Sequence, residues 1–321
     1  MENRAVKPIG GYFQLALVQG KEYYPELIKL NTSRNALEYL LILKDYTRIY
    51  FPYYTCEVLL EPLRRLNIPY QFYKINKQLE PVLDFEVGPT ECLLYTNYFG
   101  LKDAVLKQLQ ATIGNLIIDN AQAFFSKPIP YSDTFYSCRK FFGVPDGAYL
   151  QTNTEDRLIL EKDYSTERVG HLTKSIDYGI EQGYADFTTN ELNLKDNDIK
   201  SMSLFTRALL RGINYRECKT RRIENFKFLN EQLMLVNELE LILPEGVPAM
   251  TYPLLLSKKG VKSKLIEKKI FVPTYWPNVL KWTSQNTFEH KLAANLVCLP
   301  VDQRYDLQDM EYMVNVLKKI I

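Results

Sequence analysis

Apolar runs alternate with amphipathic stretches through the first half of the chain. RNALEYLLILK places Ala36, Leu37, Leu40 and Leu41 on one face; it follows the capping residues Asn31-Thr32-Ser33 and ends in Lys44, which predicts a helix. Residues 48–54 (RIYFPYY) then predict a strand, 57–66 a helix, 69–75 a strand, and 92–98 a buried strand. Residues 103–113 set Val105, Leu106, Leu109 and Ile113 on one helical face, and NLIID ends a short apolar strand at Asp119. Strands and helices alternating at this spacing imply right-handed crossovers and a mostly parallel sheet covered on both faces. Ligands on such a sheet sit beyond the carboxyl ends of its strands.

The pattern changes after about residue 150. Residues 155–238 are polar and helix-rich, with SMSLFTRALLRGI and RRIENFKFLNEQLMLV the clearest amphipathic stretches. Short strands are expected at 239–243, 250–257, 270–272 and 296–299. A final helix is expected from Asp306, with Met310, Met313, Val314, Leu317 and Ile321 on one face. The expected architecture is α/β: a large domain over 1–200 with a mostly parallel sheet sandwiched by helices, linking helices over 201–238, and a small α+β domain over 239–321.

The 321 residues, at roughly 100–200 per domain, suit that division. Hydrophobic residues at 46% and charged residues at 24% allow a full core, and a net charge of +2 argues against nucleic acid as the main partner. Five scattered cysteines without C-x-x-C and only two histidines, His171 and His290, support neither a disulfide framework, a metal site nor a catalytic triad. The amino terminus lacks an apolar leader, and no run approaches the ~18 apolar residues of a membrane span, so a soluble, cytoplasmic protein is expected. None of the fourteen glycines forms G-x-G-x-x-G, and Gly20-Lys21 is followed by Glu22, which excludes a dinucleotide fingerprint and a Walker loop.

The chemistry concentrates in IIDNAQAFFSKPIPYSDTFYSCRKFFGVPDGAY, residues 117–149. One apolar strand delivers Asp119 to the ligand end of the sheet; a second, DTFYSC, delivers Arg139-Lys140 before a glycine-containing turn. A pyridine ring whose nitrogen stays protonated needs a buried carboxylate, and an aldehyde on that ring needs a lysine amine to form a Schiff base. Thr32 and Ser33, at a helix start, offer backbone N–H groups and hydroxyls to a phosphate. Arg139 can neutralise the same anion. Three remote segments thus suit one ligand, pyridoxal 5'-phosphate.

These residues also carry a family resemblance. DNAQAF resembles the "EDAAQA" segment of the DegT/DnrJ/EryC1/StrS aminotransferases, LNTSRNAL their "SGTAAL" phosphate-loop helix, and TNYFG their "VHLYG" strand end. YSCRKFFGVPDGAYL resembles their Ser…Lys…Gly-Gly segment, NYRECKTRRIENFKFLNEQL their linking helix with R-x-x-N, and FVPTYWP their small-domain turn. The similarity runs in order over about residues 28–318. It implies the fold of type-I pyridoxal-phosphate enzymes and an aminotransferase working as a homodimer, with active sites at the subunit interface. Its substrates would be an amino-acid donor and a keto or aldehyde acceptor, a sugar in the family's best-known reactions. It further implies Lys140 as the Schiff-base lysine, Asp119 against the pyridine nitrogen, Gln122 near the ring hydroxyl, Ser137 on the phosphate, and Asn97 at a strand end of the site. FPYYTCEV resembles the strand end that carries the ring-stacking aromatic; here that position is Cys56, leaving Tyr53 or Tyr54 for the role. A lyase or dehydratase on the same scaffold, and a non-catalytic descendant that uses the cleft for binding, remain alternatives.

Overall fold

The structure, a computed structural model, describes residues 9–240 and 243–321. The first half runs β1 (Ile28–Leu30), α1 (Ser33–Lys44), β2 (Arg48–Pro52), α2 (Glu61–Leu66), β3 (Tyr70–Ile75), β4 (Pro81–Val82), β5 (Glu91–Thr96), α3 (Asp103–Thr112), β6 (Leu116–Asn120), β7 (Asp133–Ser137) and β8 (Ala148–Gln151). It continues through β9 (Glu161–Lys162), α4 (Gly170–Asp177), α5 (Ile180–Asn193), β10 (Lys200–Ser201), α6 (Leu204–Arg211) and α7 (Tyr215–Leu233). The last third comprises β11 (Thr251–Leu255), α8 (Val261–Glu267), α9 (Val279–Trp282), α10 (Phe288–Asn295), β12 (Leu296–Pro300) and α11 (Leu307–Ile320).

Strands β1 to β10 form one sheet in the order β4-β3-β2-β5-β6-β7-β8-β1-β10-β9. Within it β3, β2, β5, β6 and β7 are mutually parallel. Strand β8 runs antiparallel to β7 and β1 antiparallel to β8, so β1 points the same way as β7. The carboxyl ends of β1, β2, β5, β6 and β7 therefore lie along one edge.

Side chains alternate between two cores. Leu94, Ile117 and Phe135 pack with Leu37, Leu40 and Leu41 of α1 and Leu63 of α2. Leu93, Ile118 and Tyr136 face the other way, in the core that holds Leu106 and Leu109 of α3 and Phe226 and Leu229 of α7. Burial on both faces is why these strands read as unbroken apolar runs. Helix α1 starts on Thr32, whose Oγ1 accepts from Asn35 N–H at 3.2 Å, and ends at Asp45 in the left-handed region (φ 48°).

Strands β11 and β12 form a separate antiparallel pair, backed by Met310, Val314 and Leu317 of α11. Buried and half-buried side chains help tie this carboxy-terminal part to the large sheet and its loops. Glu289 Oε1 accepts from Ile75 N–H at 2.8 Å, Asn278 Nδ2 donates to Thr55 O at 2.9 Å, and Gln303 Nε2 donates to Phe141 O at 2.8 Å.

The expected helix over 57–66 starts as a 3₁₀ turn, Glu57–Leu60, before α2. No strand forms at 270–272: Ile270 N–H donates to Leu265 O at 2.9 Å, closing the end of α8, and Pro273 follows, so the segment closes a helix instead of joining a ladder. Of the strand expected over 239–243, Leu241 and Ile242 lie outside the described residues and the other three are irregular. Ile117 is fully buried on β6, two residues before Asp119. Ile117→Ala is expected to cost about 2–5 kcal/mol of stability, read as a lower urea midpoint at unchanged slope.

Candidate active site

Along the shared edge the chain leaves β6 at Asp119-Asn120 and β7 at Ser137, and enters α1 at Thr32-Ser33. In register, Thr96 on β5 and Phe135 on β7 flank Asp119. A cavity of about 230 Å³ opens here, and its lining includes Thr32, Ser33, Asp119, Ser137, Arg139 and Lys140. Six of the nine residues expected at the site from sequence thus meet in one hollow.

Asp119 is buried; its Oδ1 accepts from Ala121 N–H at 2.8 Å and its Oδ2 from the Thr96 hydroxyl at 3.3 Å. Burial raises its pKa, while the Lys140 cation, the Ala121 N–H and the Thr96 hydroxyl pull it back. Lys140 is exposed on the single chain, with Nζ 5.9 Å from the centre of the Tyr275 ring. The same cation opposes the burial that raises the Cys56 thiol, so Lys140 bears on both the carboxylate and the thiol across the cavity.

The other end is electropositive. The first turn of α1 holds no acidic residue, and Arg34 in that turn pairs with Glu61 at 2.6 Å. Arg139 pairs with Glu191, yet its Nε is buried without a hydrogen-bond partner. Burial, followed by repulsion from Arg34, lowers the Arg139 pKa to about 10. The turn after Lys140 returns through Gly147, whose N–H donates to Asn31 O at 2.6 Å. Gly147 sits at φ +116°, where an added Cβ would meet Thr206 at 3.0 Å, so this return needs glycine.

Tyr54, Asn97 and Gln122 are not among the cavity's lining residues. Asn97 is a buried hub: its Nδ2 donates to Asp103 at 2.8 Å and Asn120 at 3.0 Å, and its Oδ1 accepts from Lys102 N–H. Gln122 Oε1 accepts from Phe99 N–H at 3.0 Å, holding a turn in which Phe99 takes a positive φ, while its Nε2 is buried without a partner. Tyr54 is fully buried, edge-on to Trp276 at 5.0 Å. Tyr53 stacks on Phe72 at 4.9 Å.

Sequence reasoning assigned no role to Arg34, Glu191 or Trp276, all of which line the cavity. Trp276 stands within the FVPTYWP segment that carried a resemblance but no function. Arg34 replaces a small residue of the "SGTAAL" pattern, a departure visible beforehand. Glu191 comes from α5, whose approach only the tertiary structure reveals.

The sequence matches no protein-family model and no curated protein. The fold is similar to that of a DegT DnrJ EryC1 StrS aminotransferase from Brucella abortus, with a TM-score of 0.62 and 15% identity over 92% of this chain and 85% of that one. It is equally similar to the sugar aminotransferase CalS13 from Micromonospora echinospora, at 0.63 and 15% over 92% and 87%. NtdA from Bacillus subtilis, solved with bound cofactor PMP, gives 0.62 and 14% over 92% and 73%. The chain therefore shares the fold of these aminotransferases. The resemblance read from its motifs is met by structural neighbours of that same group.

Raised above its unfolded value, the Asp119 pKa makes ionisation oppose folding above the ordinary carboxylate range, with no such effect in acid where both states are protonated. Asp119→Asn is therefore expected to raise the thermal midpoint of the cofactor-free protein at neutral pH, the gain shrinking as pH falls. A lower midpoint at neutral pH would contradict this.

Proposed function

We propose that the protein is a pyridoxal 5'-phosphate-dependent aminotransferase that moves an amino group from an amino-acid donor to a keto or aldehyde acceptor. The observation that carries the reading is the meeting of Asp119 and Lys140, twenty-one positions apart, in one cavity whose far end is the amino terminus of α1. The side chains present fit that cofactor. Arg139 Nε, at the cavity, is a buried donor without a partner. Arg34, Arg139 and the open end of α1 form a cationic cradle suited to a phosphate.

In this reading Thr32, Ser33, Ser137 and Arg139 would hold the phosphate, and Lys140 Nζ would hold the aldehyde. The Asp119 carboxylate, fixed by Ala121 N–H and the Thr96 hydroxyl, would keep the ring nitrogen protonated. The bound cofactor supplies an electron sink for the pair left when the substrate's C–H bond breaks. With its amine free, Lys140 Nζ would be the general base that takes the proton from the amine-bearing carbon of the donor and, in the second half-reaction, the acid that gives a proton to the former carbonyl carbon of the acceptor. Its exposure on the single chain leaves it free to reach substrate. Trp276 supplies the aromatic surface that Cys56 lacks at the strand end.

A homodimer that completes each cleft belongs to the same reading. It is supported by large apolar side chains exposed on the single chain, among them Tyr12, Phe13, Leu15 and Val18. The division into 1–200, 201–238 and 239–321 is part of this reading; the separate β11–β12 pair supports its last unit, while β10 (Lys200–Ser201) lies across its first boundary. No helix among the described residues is long and apolar enough to cross a membrane.

Lys140→Ala is expected to lose the visible absorbance that the unmodified chain gains with pyridoxal phosphate, and to turn over no amino donor. Borohydride reduction followed by peptide mass spectrometry should place the cofactor on Lys140. An unmodified chain that stays colourless, or an active Lys140→Ala, overturns the assignment.

A further inference from the structure

A second cavity of about 600 Å³ adjoins the first and shares Arg139, Lys140 and Phe187 with it. Much of its wall is apolar, formed by Phe141, Phe142, Leu172, Ile180, Tyr184 and Phe187. His171 stands edge-on to Phe187 at 5.8 Å, and burial lowers its pKa, so it contributes a neutral ring at neutral pH.

The lining charges lean positive. Arg139, Lys140, Arg222 and Arg304 line the cavity with one carboxylate, Asp302, and Arg139 is paired with Glu191 beside it. Arg304 holds Asp302 through two bonds, Nε to Oδ1 at 2.7 Å and Nη2 to Oδ2 at 2.9 Å. Arg222 is different: it is 1% exposed and bonds only neutral acceptors. Its Nε donates to Gln303 Oε1 at 3.1 Å and its Nη1 to Ala249 O at 3.1 Å and Met250 O at 3.2 Å. Among the described residues no carboxylate pairs with its guanidinium, and Nη2 makes no hydrogen bond. Its pKa, lowered by burial to about 10, keeps it charged at neutral pH. Its guanidinium carbon lies 4.5 Å from the centre of the Phe141 ring, beside Lys140 in sequence. The one carboxylate acting on this buried cation, Asp302, is held by Arg304 and forms no ion pair with it, so an anion in the cavity would find Arg222 free to pair.

We propose that this cavity seats the substrate acid, an α-amino or α-keto acid with an aromatic or branched apolar side chain, its carboxylate on Arg222 and its reacting carbon toward Lys140 Nζ. The inference rests on the aminotransferase reading of Lys140. Planar guanidinium suits a carboxylate, and the ring-lined wall suits an apolar side chain. A sugar, whose hydroxyls each need a polar partner, would find few on those rings.

The test is calorimetric titration of the full chain with 3-phenylpropionate and with its neutral isostere 3-phenylpropanamide, neither of which reacts. The acid is expected to bind at least about tenfold more tightly than the amide, the scale of one charge-assisted hydrogen bond. Arg222→Gln should abolish that preference. Tyr184→Asp, on an exposed face of α5, should weaken the acid at least about tenfold, and it decides the matter if Arg222→Gln fails to fold. Equal binding of acid and amide by the unmodified chain, or unchanged acid binding by Tyr184→Asp, overturns the proposal. Absorbance with pyridoxal phosphate is read in parallel. A coloured protein without acid preference sinks only this inference, whereas a colourless protein with it sinks the cofactor assignment and leaves the carboxylate site standing.

Discussion

A buried carboxylate facing a lysine across a small hollow is the interaction on which the rest of this molecule turns. Asp119 is taken out of water by the sheet, which raises its pKa, and only the Ala121 N–H, the Thr96 hydroxyl and the Lys140 cation oppose that shift. Such a group persists in a folded chain when its surroundings hold it. Here they do so through topology: β5, β6 and β7 run parallel, so the Thr96 hydroxyl, the carboxylate and the turn bearing Lys140 leave the sheet along the same edge.

Helix α1 reaches that edge by another route. Strand β1 sits beyond β8 and is only three residues long, yet two antiparallel pairings restore its direction to that of β7. The amino terminus of α1 therefore points at the ligand end of the sheet, where Arg34 and Arg139 add charge to its own partial positive end. Repulsion between the two guanidiniums helps lower the Arg139 pKa, and Glu61 and Glu191 each take one of them. An anion in the cradle would relieve the same repulsion, which ties the electrostatics of this end to its occupant.

Much of this was legible in the sequence, for identifiable reasons. Strands β5 and β6 announced themselves because burial on both faces writes a nearly unbroken apolar run, β2, β3 and β7 through their aromatic and β-branched residues, and Asp119 and Lys140 stood out as charges at or just past strand ends. Strands β1, β9 and β10 are too short to carry any periodicity, and β8 follows a turn whose signal lies in Gly147. The segment 270–272 reads as a strand by its side chains, but its first amide is spent on closing α8. Tyr54, Asn97 and Gln122 were legible as neighbours of the site. Their packing roles, against Trp276, Asn120 and Phe99, depend on contacts between segments remote in sequence. Arg222 was visible only as part of a helix motif; that its hydrogen bonds go to neutral acceptors alone could be seen only once α7, Gln303 and the Ala249–Met250 carbonyls stood together.

Gln303 has a mechanical consequence. One end of its amide grips the Phe141 carbonyl and the other takes the Arg222 Nε, bolting the carboxy-terminal part of the chain to the peptide unit next to Lys140. Loss of this one amide would therefore unpair the Phe141 carbonyl and the buried Arg222 Nε at the same time.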